Sequence, residues 1–168
     1  GRSVTYAELL TEVERVAAGL RRLGIRPEER VAMVMLDTVE FASTFLGALR
    51  IGAIPVLTNP LLPARDLGLI VADSRARLLV VSNERVSEVG ALLSAAPEVE
   101  TVISTEATSW SAFAAPLAGE DNGGPHPTWA ESPGFWLCTS GTTGLPKLAM
   151  HRHGDIQATC QTYADQVL

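Results

Sequence analysis

The 168-residue chain is poor in cysteine, in basic charge and in long apolar runs. Its two cysteines, Cys138 and Cys160, are too few for a disulfide framework and lack the spacing of a metal site. The net charge of −6 argues against a nucleic-acid-binding surface, which normally shows a basic face. No apolar run approaches the length of a membrane span, and the N-terminus does not resemble a signal peptide. These absences favour a globular domain in the cytoplasm.

Lysine is the scarcest basic residue, and its position is informative. Lys147 is the only lysine among thirteen basic residues. It closes residues 139–147 (TSGTTGLPK), where hydroxyl residues are interspersed with glycines. Hydroxyls and free N–H groups in such a loop can bind phosphate oxygens, and an ammonium supplies the opposite charge. The pattern favours a polyphosphate-binding loop, and an ordinary Ser/Thr/Gly-rich surface turn is the alternative.

The loop differs from the Walker A loop of P-loop ATPases. That loop needs glycine directly before its lysine, Ser or Thr after it, and then a helix. Here Pro146 precedes Lys147 and Leu148 follows it. The apolar runs on either side, residues 135–138 and 148–150, indicate that the loop joins two strands.

The part of the chain before residue 105 alternates helix and strand patterns. Thr5 and Glu8 form a capping-box pattern, and Gly24 is placed to end the helix that follows. Further helices are predicted to begin at Asp37 (with Glu40), Pro63 and Asn83, the last carrying Val86, Val89, Leu92 and Leu93. Strands are predicted at residues 31–36, 54–57, 78–81 and 101–103. This alternation predicts an α/β fold with a mostly parallel sheet and flanking helices.

The chain is expected to divide into three parts of one incomplete domain. Residues 1–104 form the βα-alternating part, and residues 105–133 form an irregular excursion with a short helix near residues 110–115. His126 lies in the excursion and is expected to be exposed. Residues 134–168 carry the loop, its two strands and a final helix. One face of that helix carries Ile156, Cys160, Tyr163 and Val167, with Cys160 expected in the core.

The loop resembles the phosphate-loop signature of the adenylate-forming superfamily, which includes acyl- and aryl-CoA ligases, peptide-synthetase adenylation domains and luciferases. Residues 151–155 (HRHGD) resemble the family's Thr-His-x-Asn segment, where His153 takes the histidine, Arg152 replaces threonine and Asp155 replaces asparagine. Leu148 departs from the pattern, because the family usually has glycine there. Residues 5–9 (TYAEL) and 52–56 (GAIPV) also look like family segments. The resemblance covers nearly the whole chain and implies the first part of the family's large N-terminal domain.

The resemblance also implies a reaction. A carboxylate attacks the α-phosphorus of ATP to give an acyl-adenylate and pyrophosphate, and a thiol, usually coenzyme A, then takes the acyl group. The implied phosphate contacts come from the loop residues Thr139, Ser140, Gly141, Thr142, Thr143, Gly144 and Lys147. Mg²⁺ would accompany ATP, with Thr142 or Thr143 near it. His151 and His153, two apart on a strand, either face solvent or include one that borders the acyl pocket or orients the loop.

The acid and the acceptor are less well specified. Residues 135–137 (FWL) and 163–165 (YAD) look most like benzoate-type aryl-CoA ligases. A carrier-protein-loading adenylation enzyme and a non-catalytic nucleotide-binding or interaction module are the alternatives. The family's adenine-binding aromatic, magnesium-binding glutamate, ribose-binding aspartate and adenylation lysine have no counterpart in the sequence. We therefore expect a piece of a longer enzyme, inactive alone and able to self-associate through exposed apolar surface.

Overall fold

The computed structural model describes residues 2–115, 123–139 and 146–164, except for the side chain of residue 164. Within them, six strands form one sheet. The strands are β1 (Arg30–Val34), β2 (Ile54–Leu57), β3 (Leu78–Val81), β4 (Thr101–Ser104), β5 (Pro133–Thr139) and β6 (Lys147–Arg152). The helices are α1 (Tyr6–Arg22), α2 (Val39–Arg50), α3 (Ala64–Ser74), α4 (Val89–Ala95), α5 (Ala107–Phe113) and α6 (His153–Thr159). Among the described residues, no helix is long and apolar enough to cross a membrane.

The sheet is mostly parallel, as predicted. Its strand order is β4-β3-β1-β2-β5-β6. All neighbouring pairs are parallel except β5 and β6, which form an antiparallel pair. The carboxyl ends of β1 to β5 therefore lie along one edge of the sheet, where open α/β sheets usually bind ligands. Thr139, the last residue of β5, lies at this edge.

The sheet separates two apolar cores. On one face, α1, α2 and α5 pack on strand residues that include Met33 and Val80. On the other face, α3 and α4 pack on strand residues that include Val34 and Leu79. The central strands are buried on both faces, which explains why they appear in the sequence as continuous apolar runs.

The predicted start of α1 is right, whereas the predicted start of α2 is one residue too early. The Thr5 hydroxyl accepts a hydrogen bond from Glu8 N at 3.3 Å, and Thr5 N donates to Glu8 Oε2 at 2.7 Å. The capping box is thus confirmed. The prediction that Asp37 caps α2 is wrong, because the Thr38 hydroxyl accepts from Phe41 N at 3.4 Å. The extended backbone of Thr38, with φ of −129°, is that of the residue before a helix.

Three other predicted helix starts need small corrections. Pro63 directly precedes the first residue of α3 instead of lying in its first turn. Asn83 begins a 3₁₀ segment, Asn83–Glu88, and caps no α-helix. Val86 lies in this segment and is 41% exposed, whereas Leu92, in the α4 helix that follows, is buried. The short helix expected near residues 110–115 is α5, which begins earlier.

The last helix differs from its prediction in which residues it buries. After α6, residues Cys160–Ala164 form a π-helical turn. Cys160 is exposed, contrary to the prediction that it lies in the core, and Tyr163 is 54% exposed. The contacts with β5 and β6 come from α6, and Cys160 lies beyond them. Val167 lies outside the described residues.

Candidate functional site

The two ends of the predicted phosphate loop lie side by side. Thr139 and Lys147 are paired in register across the β5–β6 hairpin, and both are exposed. The Thr139 hydroxyl donates a hydrogen bond to the Lys147 carbonyl at 3.4 Å. The prediction that the loop joins two strands is therefore confirmed. Ser140, Gly141, Thr142, Thr143 and Gly144 lie outside the described residues.

The loop exit packs against α3. Pro146 and Leu148 line a cleft of about 270 Å³ together with the α3 residues Leu69, Ile70 and Asp73. Leu148 is the position where the sequence departs from the family's glycine, and its half-buried side chain gives the start of β6 an apolar contact with the helix layer. Because side chains alternate along a strand, Lys147 and His151 lie on the opposite face of β6 from Leu148.

His151 is held in an aromatic stack. Its ring lies on the ring of Phe135 with the centroids 4.8 Å apart and an interplanar angle of 7°. Phe45 of α2 meets Phe135 edge-on at 5.5 Å. His151 Nδ1 also lies 3.4 Å from Asp155 Oδ2. The His151 side chain is 33% exposed and so partly open to solvent, and its functional role stays a prediction.

His153 does not share a strand face with His151, because β6 ends at Arg152 and His153 begins α6. Its Nε2 atom is buried without a hydrogen-bond partner among the described residues. Burial lowers the pKa of the His153 imidazole, so the ring is neutral at neutral pH. A buried, unpaired ring nitrogen costs free energy unless a further group meets it. The Nε2 atom of His153 is therefore a buried nitrogen near the loop that an additional partner could meet.

The junction between β6 and α6 is held by backbone contacts. His153 N donates to the Ser132 carbonyl at 3.0 Å, and Gly154 N donates to the Ala130 carbonyl at 2.9 Å. A Cβ atom on Gly134 would lie 2.8 Å from the Arg152 carbonyl carbon, so only glycine permits this approach. The roles of Gly134 and Ser132 at this junction could not be predicted, since nothing local in the sequence shows which backbone they meet.

Asp155 ties the end of β6 to the first turn of α6. Its Oδ2 accepts from Arg152 N at 3.0 Å, and its Oδ1 lies 3.2 Å from Arg152 Nη2. The hydrogen bond from Arg152 N, followed by the interactions with the Arg152 guanidinium, lowers the pKa of Asp155. An acidic residue at this helix position was a signal the sequence offered, because carboxylates at N3 commonly bond back to the N-cap.

The third histidine, His126, lies away from the loop ends. His126 is exposed, as predicted, and its ring lies over Gly52. Among the described residues, no group of three or more His, Cys, Asp or Glu side chains could hold a metal ion.

Comparisons with known proteins point to one family. A family model described as "AMP-binding enzyme" matches residues 1–167. A benzoate–CoA ligase of Thauera aromatica is 37% identical over 168 residues, which are 99% of this chain and 32% of that protein. A 4-hydroxybenzoate–CoA/benzoate–CoA ligase of Rhodopseudomonas palustris is 39% identical over 155 residues, 90% of this chain and 29% of that protein. The chain therefore spans about a third of the length of these curated relatives.

Solved structures match over nearly the whole chain. A benzoate CoA ligase from Burkholderia xenovorans aligns with a TM-score of 0.84 at 32% identity, covering 98% of this chain and 32% of that one. An anthranilate CoA ligase in complex with anthranoyl-AMP aligns with a TM-score of 0.90 at 28% identity, covering 99% and 32%. The predicted similarity to benzoate-type ligases is confirmed.

Proposed function

The chain belongs to the family of AMP-binding enzymes, and on that premise we propose that the protein carrying it is an AMP-forming acid–CoA ligase. It activates a carboxylic acid with ATP to an acyl-adenylate and pyrophosphate, and then transfers the acyl group to coenzyme A. The names of the benzoate–CoA ligase relatives support this activity. The 168-residue chain alone is expected to be inactive.

The observation that carries the proposal is the pairing of Thr139 with Lys147 at the carboxyl edge of the sheet. The first step needs little covalent help, because a carboxylate nucleophile is already ionised. It needs alignment and relief of charge repulsion between two anions. A hydroxyl and an exposed ammonium at adjacent loop ends fit a chain of phosphate oxygens.

The remaining loop roles follow as part of the proposal. Ser140, Thr142 and Thr143 donate hydroxyl hydrogen bonds to the phosphates, Gly141 and Gly144 allow close backbone approach, and Lys147 binds a terminal phosphate. Mg²⁺, when bound with ATP, shares the charge of the phosphates. Thr142 or Thr143 would lie nearest to it.

We propose an aryl acid of the benzoate type as the substrate. Benzoate and hydroxybenzoate ligases among the relatives support it, with 36–39% identity. His153 then borders the acyl pocket or orients the loop, and its buried Nε2, which has no hydrogen-bond partner in the described part of the chain, supports such a role. Residues 134–168 carry the site, while residues 1–104 form the scaffold, with 105–133 as an excursion between them.

The cytoplasm is the compartment we propose, because the chain has few cysteines.

A carrier protein is the alternative acceptor. A fatty acid–[acyl-carrier-protein] ligase of Streptomyces coeruleorubidus is 30% identical to the chain, and a salicyl-AMP ligase/salicyl-S-ArCP synthetase of Mycobacterium tuberculosis is 32% identical. Supplying the full-length protein with coenzyme A or with a carrier protein, and measuring which thiol is acylated, separates the two acceptors.

The test measures acid-dependent AMP formation by the full-length protein with ATP–Mg²⁺ and a panel of benzoates and fatty acids. We expect turnover with benzoates, and a fall of about tenfold or more in Lys147→Ala, because one phosphate-binding donor is lost. Lys147→Arg is the matched control and should retain more activity, since it keeps the charge but not the compact ammonium. A folded full-length protein that forms no AMP with any acid would refute the proposal.

A further inference from the structure

We propose that His151 and Asp155 act as a positioning pair that fixes the junction between β6 and α6 and thereby the orientation of the His153 imidazole. The catalytic consequence rests on the proposed function, whereas the contacts of the pair do not.

The His151 ring is constrained by an aromatic stack. Phe135 stacks on the flat face of its ring, and Phe45 supports Phe135 from α2. Phe135 and His151 are also paired in register across the hairpin, so the stack joins both strands to the helix layer. An aromatic ring at position 151 would keep this stacking, but only histidine adds a nitrogen within reach of Asp155.

Asp155 supplies the second half of the pair. Its Oδ2 is the acceptor for Arg152 N at 3.0 Å and lies 3.4 Å from His151 Nδ1. One carboxylate oxygen therefore links two residues of β6 to the first turn of α6. Because charge-assisted hydrogen bonds are among the stronger ones, this oxygen limits rotation of the helix start about the strand end.

His153 lies between the two members of the pair in sequence. Its backbone N–H is fixed to Ser132, and its Nε2 is buried without a partner among the described residues. An unpaired polar atom of this kind can meet a further group only if the ring holds one orientation. His151 and Asp155 hold the backbone on either side of it, and they are therefore positioning residues for His153.

The experiment uses three single variants of the full-length protein. His151→Phe keeps the stacking on Phe135 and removes Nδ1. Asp155→Ala removes the shared acceptor. Asp155→Asn is the conservative control, since an amide oxygen in the place of Oδ2 can accept both hydrogen bonds. Two readouts are taken, steady-state kinetics of acid-dependent AMP formation and the His153 pKa by histidine-selective NMR.

We expect His151→Phe and Asp155→Ala each to lower kcat about tenfold through misalignment. The KM for ATP should stay within about twofold, because Lys147 lies at the other end of β6. The His153 pKa should rise toward its ordinary value as the ring gains solvent. Asp155→Asn should restore most of both properties, and the double variant His151→Phe/Asp155→Ala should be no worse than Asp155→Ala alone.

The proposal would be overturned if the losses of kcat added in the double variant. It would also be overturned if kcat and the His153 pKa were unchanged in both His151→Phe and Asp155→Ala. A parallel change in kcat and in the KM for ATP would indicate a general loss of structure and count against positioning. If Asp155→Ala does not fold, Asp155→Asn combined with His151→Phe replaces it, and this double variant should be no worse than His151→Phe alone. If the unmodified protein forms no AMP with any acid, the proposed function fails, while the His153 pKa still decides on the pair.

Discussion

At the scale of single residues, Gly134 shows how a position can be fixed by a backbone that lies far from it in sequence. We expect Gly134→Ala to lower the free energy of unfolding by about 1–3 kcal/mol, because the new methyl group would overlap the Arg152 and His153 backbone. Gly90→Ala in α4 is the control, since a Cβ there meets nothing within 4 Å. That change should stabilise the helix by about 0.5–1 kcal/mol. Urea unfolding of both variants tests this, and equal stabilities would contradict it.

His153 gives stability a dependence on pH. Burial lowers its folded pKa below the ordinary value of 6.5, so the unfolded chain binds the proton more readily. The stabilisation is present above pH 6.5 and is lost as the pH falls from there toward the folded pKa. We expect His153→Leu to weaken the fall of the unfolding free energy as the pH drops below 6.5, because the group with the lowered pKa is removed.

The control for that measurement is His126→Leu, at an exposed histidine, which should keep the slope. Asp155 acts in a separate, more acid window. Its folded pKa lies below the ordinary 3.8, so its contribution is present above pH 3.8 and is lost only as the pH falls through the lower folded value. If the unfolding free energy of His153→Leu still falls below pH 6.5 as steeply as that of the unmodified protein, another group causes the effect.

The sequence yields a prediction for the phosphate contacts of the loop, but not for the residues that support the two loop ends. A glycine-, hydroxyl- and lysine-rich run is local and therefore visible in sequence. The stack of His151 on Phe135 and the backbone approach at Gly134 depend on strand pairing, which no local pattern shows. The exposure of Cys160 was mispredicted for the same reason, because helical spacing gives a face and not what covers it.

At the scale of secondary-structure elements, the start of α2 separates two adjacent candidate caps. Thr38→Ala should lower the free energy of unfolding by about 1 kcal/mol, since the hydroxyl that accepts from Phe41 N is lost. Asp37→Ala should change it by much less, because no hydrogen bond to the Asp37 carboxylate is present among the described residues. Chemical denaturation of the two variants under one set of conditions distinguishes them, and a larger loss in Asp37→Ala would place the cap one residue earlier.

Most helices and strands could be predicted from the sequence, whereas their first and last residues were predicted less accurately. Buried parallel strands are continuous apolar runs, and β1, β2 and β3 were found on that basis. The 3₁₀ segment after β3 was not predicted. The residue before it, Ser82, accepts from Leu36 N at 2.8 Å through its hydroxyl, which ties the end of β3 to the end of β1. A cap pattern alone cannot distinguish that use from the start of an α-helix.

At the scale of the whole molecule, the position of β5 brings the loop to the ligand-binding edge. β5 follows β4 in sequence but pairs with β2, on the other side of β1. The chain therefore crosses from one side of the sheet to the other between β4 and β5. Alternating helix and strand patterns predicted the parallel sheet, but not this strand order, because pairing between distant strands depends on tertiary packing.

The shared sheet makes one cooperative unit of the two apolar cores. Leu78 and Leu79 are neighbours on β3, yet Leu78 packs in the core beneath α1 and α2, and Leu79 packs in the core beneath α3 and α4. Both are fully buried, so Leu78→Ala and Leu79→Ala should each cost about 2–5 kcal/mol. Leu61→Ala, at a side chain that is 79% exposed, is the matched control and should cost much less.

Because β3 lies between both cores, each variant should shift the whole transition and not one face of it. Tryptophan fluorescence, to which Trp110 beside the first core contributes, should coincide with far-UV circular dichroism in both variants. If Leu79→Ala moved the circular-dichroism transition and left the fluorescence transition in place, the two helix layers would unfold independently. The sheet would then act as a boundary between two units, and the hairpin that carries Lys147 would depend on only one of them.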